Sequence, residues 1–172
     1  MHMKRVNFEF KAWMRNDIGI RATLRRLRAR YIGKDHQIDT YFDVPRGRLK
    51  VREGKIENAL IFYERSDFPR ARRARIEMML LPRRNSVKEV LARALRTRVV
   101  VDKRREIYFV GNVKVHLDKV RGLGRFVEVE AVSRAGDLAK ARQQALRLQK
   151  LFGIKRADIV GKSYSDLREL SH

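Results

Sequence analysis

The chain contains no cysteine, which excludes disulfides, zinc–thiolate centres and a cysteine nucleophile. Its three prolines, Pro45, Pro69 and Pro82, sit where strands would end. No repeat, low-complexity tract or Ser/Gly/Pro-rich linker divides it. Long apolar runs are missing: stretches such as Ala59-Leu60-Ile61-Phe62-Tyr63 reach about five residues, against the ~20 of a membrane helix. The opening Met1-His2-Met3-Lys4-Arg5 lacks the apolar core of a secretion signal, so a cytoplasmic location is the expectation. Acid is scarce: 20 Asp and Glu stand against 42 Lys and Arg, a net charge of +22. With 44% apolar residues in 172, one domain over residues 1–172 with a sizeable core is expected.

That much positive charge favours polyanionic partners. Nucleic acid, anionic lipid and phosphorylated small molecules all qualify, and the placement of the cations has to separate them. A phosphate-binding enzyme would array cations on one face of rigid elements, with carboxylates nearby for metal.

Period-two alternation dominates the chain. It predicts strands over Val6 to Trp13, Ile38 to Phe42, Arg48 to Arg52, Ala59 to Arg65, Ala74 to Leu81, Arg98 to Phe109, Val113 to Lys119 and Arg125 to Val132. Eight strands can close into a barrel. Helices are predicted where Ile20, Leu24, Leu27 and Tyr31 recur at helical spacing, after Ser86, after Asp137 until Gly153, and briefly after Tyr164.

The polar faces of these strands are selective. Arg48/Lys50/Arg52, Arg65 and Lys103/Arg105 offer cations. Glu9 beside Lys11, Asp118 beside Lys114, and Glu128/Glu130 offer carboxylates. Two arrangements fit. The rows could be solvated strand faces with weak ion pairs, the commoner case for alternating charge. They could instead converge inside a closed sheet, with the apolar alternates outside under the helices. Buried charge must then be paired or met by a ligand. Cations would suit a chain of phosphates, and carboxylates among them a hard divalent cation.

Taken together, several stretches resemble the CYTH domains, or triphosphate tunnel metalloenzymes, closest to the class IV adenylyl cyclase branch. They are Asn7-Phe8-Glu9-Phe10-Lys11-Ala12, Asp39-Thr40-Tyr41-Phe42 through Gly47-Arg48-Leu49-Lys50-Val51-Arg52-Glu53, Leu60 to Arg65, Val115-His116-Leu117-Asp118 through Gly122-Leu123-Gly124, Val127-Glu128-Val129-Glu130, and Ser163-Tyr164-Ser165-Asp166-Leu167. The resemblance implies an α+β fold: an eight-stranded antiparallel β-barrel, helices outside, a triphosphate and a divalent metal, Mg²⁺ or Mn²⁺, within. It implies an enzyme turning ATP into cyclic AMP and pyrophosphate. The alternatives are an inorganic or thiamine triphosphatase, or a non-catalytic nucleotide-, polyphosphate- or nucleic-acid-binding module. The family's metal ligands would fall on Glu9, Asp118, Glu128 and Glu130. Its catalytic, phosphate-binding cations would fall on Lys11, Arg52, Arg65, Lys103 and Arg105, with Arg48, Lys50 and Lys114 as further substrate contacts. The family opening Glu-x-Glu-x-Lys has Asn7 in its first position here, an uncharged ligand at best. A homodimer is a family-level expectation.

Other groups carry milder readings. His116 shares the Asp118 face and is expected to be bonded within the lining more than to bind metal. Tyr63 could meet a nucleotide or simply pack. Arg21, Arg25, Arg26, Arg28 and Arg30 form a cationic helix face, read as solvated. Arg70, Arg72, Arg73 and Arg75 could steer anions toward a tunnel mouth. Nucleic acid is disfavoured as the partner because carboxylates recur at fixed strand positions and few aromatics stand among the cations to stack on bases; no membrane partner is expected.

Overall fold

The computed structural model describes the backbone of residues 2–65, 72–133 and 137–170, and the side chains of all of these except 2–5, 65 and 72. Eight strands run in chain order: β1 (His2–Trp13), β2 (Arg30–Phe42), β3 (Arg48–Glu53), β4 (Ala59–Arg65), β5 (Arg72–Leu80), β6 (Thr97–Val110), β7 (Val113–Val120) and β8 (Gly124–Ser133). Four helices accompany them: α1 (Asp17–Arg26), α2 (Val87–Ala94), α3 (Leu138–Leu151) and α4 (Tyr164–Glu169). The strands pair antiparallel and close on themselves in the order β1-β5-β4-β3-β2-β6-β7-β8. No described helix is long and apolar enough to cross a membrane.

The alternation works as the converging arrangement requires. Phe10 and Ala12 of β1, Val115 and Leu117 of β7, and Val127 and Val129 of β8 point outward. They form one core with Ile20 and Leu24 of α1 and Ala141, Ala145 and Leu148 of α3. Their charged alternates therefore face the inside of the ring. α3 starts at Asp137, whose side chain accepts from Lys140 N at 3.0 Å, and α4 starts with a reciprocal cap between Ser163 and Asp166.

Helix α1 is shorter than its spacing predicts. Arg28 takes φ 51°. Arg28 N donates to Arg25 O and Ala29 N to Leu24 O, both at 2.9 Å. This is the paired bonding of a left-handed helix stop, built here on arginine where glycine is usual. Tyr31, predicted in this helix, instead lies in β2 opposite Tyr108. β2 is extended by eight residues beyond the predicted start at Ile38.

The inside is not polar throughout. Val101, Val120 and Phe126 are inward by register, and with Val160 and Tyr164 they fill one end. The C-terminal segment holds that plug in place. Val160 N donates to Lys11 O at 2.8 Å, Tyr164 Oη to Asp118 at 2.7 Å and Arg48 to Asp166 at 2.9 Å.

Candidate functional site

Behind the plug lies a cavity of about 150 Å³ whose wall has two characters. One sector is charged. Glu9 and Lys11 come from β1, Lys50 and Arg52 from β3, Arg105 from β6, Lys114 and His116 from β7, and Glu128 and Glu130 from β8. The facing sector is apolar: Ile61 and Tyr63 of β4 with Ile76, Met78 and Leu80 of β5. Register explains the division, since Ile61 pairs with Met78 and Tyr63 with Ile76, so two adjacent strands turn the same kind of side chain inward.

The charged sector is internally paired. Asp39, fully buried on β2, accepts from Lys50 at 2.8 Å, Arg52 at 2.8 and 3.0 Å, and Lys103 at 2.6 Å. Burial alone would raise its pKa, but Arg52, Lys103 and Lys50 outweigh that and hold it well below its ordinary 3.8. Its stabilising contribution is therefore complete above pH 3.8 and disappears as the pH falls through the lowered value. Asp39→Asn should accordingly unfold more readily than the parent at pH 7, and the gap should close below pH 3.8. Urea midpoints across that range check this, and a gap independent of pH would contradict it.

Arg105, 2% exposed, bonds Asp118 at 2.7 and 2.5 Å and Glu128 at 2.6 Å. Burial would raise the Glu128 pKa too, but Lys11 and Arg105 keep it well below the carboxylate range. Lys11 lies 3.6 Å from Glu128 and 3.8 Å from the centre of the Tyr164 ring.

Glu57 and Asp35 belong to this lattice and had no strand pattern to betray them. Asp35 accepts from the backbone amides of Lys55, Ile56 and Glu57 at 2.7, 3.1 and 3.0 Å, folding the β3–β4 loop into the ring. That loop brings the Glu57 carboxylate to Arg52 at 2.8 Å and to Lys114. Among the described residues, and leaving aside Arg48 paired with Asp166, the interior opposes six cations (Lys11, Lys50, Arg52, Lys103, Arg105, Lys114) with seven carboxylates (Glu9, Asp35, Asp39, Glu57, Asp118, Glu128, Glu130).

Of the candidate metal ligands, Glu128 and Glu130 gather with His116, not with Asp118. Ligand atoms of His116, Glu128 and Glu130 lie within 4.8 Å of one another, and His116 Nδ1 is 3.6 and 3.7 Å from the two carboxylates. His116 is fully buried with neither ring nitrogen hydrogen-bonded. Burial, aided by Arg105, lowers its pKa and keeps it a neutral donor. A buried imidazole without a hydrogen bond beside two carboxylates fits a divalent cation. Glu9 pairs by register with Glu130 and joins the same wall. Asp118 is withdrawn, its oxygens taken by Arg105 and Tyr164.

Among the phosphate-binding candidates, Lys11, Lys50, Arg52, Arg105 and Lys114 reach the cavity wall. Lys103 sits behind it, 1% exposed and bonded to Asp39. Arg48 is engaged with Asp166. The side chain of Arg65 lies outside the described residues, as do Arg70 and the side chain of Arg72. Asn7 is fully buried with its amide unbonded among the described residues and is not part of the cavity wall.

A family model described as CYTH domain matches residues 6–164. Among curated proteins, "Putative adenylate cyclase MJ0240" of Methanocaldococcus jannaschii is 34% identical over 71 residues, which make up 41% of this chain and 41% of that relative. Among solved structures, the PH1012 protein of Pyrococcus horikoshii OT3 matches with a TM-score of 0.79 and 24% identity, covering 94% of this chain and 98% of its own. The structure of a "putative adenylate cyclase" from Vibrio parahaemolyticus matches with a TM-score of 0.78 and 21% identity, covering 96% of this chain and 98% of its own. At these identities the structural matches speak for the fold.

Proposed function

The chain belongs to the CYTH domain family, and on that premise we propose that it is a metal-dependent cyclase converting ATP into cyclic AMP and pyrophosphate inside its ring. The observation that carries this reading is the two-sided cavity: a sector of interleaved cations and carboxylates for a triphosphate with its metal, facing an apolar sector for an organic group. An inorganic triphosphate would leave Ile61, Ile76, Met78 and Leu80 against water. The M. jannaschii relative bears an adenylate cyclase name, which supports a nucleotide as that organic group.

In this reading Lys11, Lys50, Arg52, Arg105 and Lys114 are the candidates for the phosphate oxygens, Arg through planar two-point bonds and Lys as point charges. Glu9, Glu128, Glu130 and His116 would hold a divalent ion, with Mn²⁺ accepting nitrogen more readily than Mg²⁺. When bound, the ion supplies charge neutralisation on the triphosphate and acidifies the attacking hydroxyl. The residues' task is to fold the nucleotide so that its 3′-oxygen bonds the α-phosphorus as the bond to pyrophosphate breaks. That is chiefly positioning, with cations waiting where the leaving group gathers charge.

The deciding experiment incubates the protein with ATP, thiamine triphosphate and inorganic triphosphate, each with Mg²⁺ and with Mn²⁺, and separates the products. Cyclic AMP plus pyrophosphate from ATP is expected. Release of orthophosphate as the main product would transfer the reading to a triphosphatase. Met78→Ala should raise the KM for ATP about tenfold through lost apolar contact, while leaving any turnover of inorganic triphosphate alone. Equal effects on both substrates would remove the organic group from the β4–β5 wall.

A further inference from the structure

Among the described residues the ring's interior consumes cations and carboxylates in nearly equal number, so their excess of positive charge is carried outside it. Five of the cations outside the ring cavity line one concave place. Between α1 and the outer faces of β2, β6, β7 and β8 lies a cleft of about 230 Å³, separate from the ring cavity. Arg21, Lys34, Arg104, Lys119 and Arg125 line it. Its carboxylates are already occupied. Asp17 and Glu106 bond Arg21 at 2.6 and 2.5 Å, and Asp118 turns its oxygens inward to Arg105.

Register makes this lining unusual. Arg104 pairs directly with Lys119, and Lys119 with Arg125, across three neighbouring strands. Adjacent strands are about 4.8 Å apart, so the three cations form a row about 10 Å long. Like charges placed directly opposite destabilise a sheet. Arg125 has Asp17 at 3.1 Å, but Arg104 and Lys119 are exposed and have no ion-pair partner among the described residues. Asp17 relieves one end of the row, while Arg104 and Lys119 face each other with no such relief among the described residues.

We propose that this cleft seats the sugar-phosphate backbone of a nucleic-acid duplex. A row of cations in a concave wall matches a ridge of regularly spaced phosphates, and the surplus charge around it supplies attraction through counterion release. The two features that disfavour nucleic acid in the sequence lose their force. The recurring carboxylates are turned into the ring, and a lining without aromatic side chains suits backbone contact, which needs no stacking platform. Binding is therefore independent of base sequence. Only Met14 and Leu117 are apolar in the lining, and the wall is concave, both poor matches to a flat lipid surface.

The test is anisotropy of a labelled 20-base-pair DNA duplex titrated with the full chain at 50 and 200 mM salt. The parent should bind at 50 mM and weaken steeply at 200 mM. Arg104→Glu/Lys119→Glu should bind at least tenfold more weakly and lower the log–log salt slope by about two, one unit per lost phosphate contact. Arg83→Glu/Arg93→Glu, an equal charge change on exposed residues outside the cleft, should stay within about threefold of the parent. Arg104→Gln/Lys119→Gln, which relieves repulsion without adding acid, should weaken binding in the same direction. ATP and triphosphate turnover of each variant reports separately on the ring and should not change. No binding by the parent at 50 mM would overturn the proposal. So would equal weakening by both Glu pairs, displacement of the duplex by millimolar inorganic phosphate, or tighter Arg104-dependent binding to phosphatidylserine vesicles than to the duplex.

Discussion

Replacing Glu130 with alanine is expected to leave the protein at least as stable as the parent while removing about three orders of magnitude of turnover. Glu130 has His116 at 3.7 Å and no closer ion pair among the described residues; it stands opposite Glu9 in the β1–β8 register and, in the β7–β8 register, opposite Lys114, whose ammonium is bonded to Glu57. Like charges in that position repel across the strands, so deleting one relieves strain. The same carboxylate is one of three groups gathered where a divalent ion fits. Losing it should cost about 4 kcal/mol of transition-state stabilisation, on the usual ~1.4 kcal/mol per tenfold in rate. Thermal melting without metal and steady-state turnover with Mn²⁺ check the two halves. A variant that melts earlier, or one that keeps its turnover, would remove Glu130 from the metal group.

Arg105→Ala is expected to behave in the opposite way, losing about 3–5 kcal/mol of stability before activity can be assessed. Its guanidinium joins Asp118 to Glu128, and burial is countered in both carboxylates by this one cation above all or together with Lys11. Truncation would leave two buried negative charges facing each other, with Tyr164 still bonded to one of them. Loss of turnover in this variant would report unfolding, not catalysis. Urea titration should show the fall directly. A midpoint within experimental error of the parent would mean that the two acids take up protons or find new partners at little cost. Arg105 and Glu130 look alike as inward-facing charges, and the partner geometry separates them: Arg105 is bonded to two buried carboxylates, whereas the nearest ion-pair partner of Glu130 among the described residues is His116 at 3.7 Å.

How far the sequence could be read follows from which residues carried a pattern. β4 from Ala59 to Arg65 and the helix start at Asp137 are legible because alternation and capping are local. The end of α1 is not, because the left-handed stop falls on Arg28 and no glycine announces it. That one boundary hid the first part of β2, and with it Asp35 and Gln37, which continue the inward row of Asp39. Glu57 was beyond reach for a different reason. It lies in a loop and enters the ring only because Asp35 draws three backbone amides toward itself. Asp118 and His116 share a strand face, so spacing could not tell which would meet Glu128 and Glu130. Arg105 and Tyr164, brought in from β6 and the C-terminal segment, take up Asp118 and leave His116.

The near-parity of acids and bases around the cavity also bears on how tightly a guest can be held. Under the proposed function, each phosphate oxygen that arrives takes a donor away from a resident carboxylate, as at Lys114 with Glu57 or Lys50 with Asp39. Occupation is therefore an exchange of one partner for another, and the net affinity is the small difference between two similar sets of bonds. When the guest departs, the resident acids stand ready to reclaim their donors. Under the proposed function, a polyanionic product leaves an interior whose own charges are close to balanced, so release is not opposed by a large excess of positive charge.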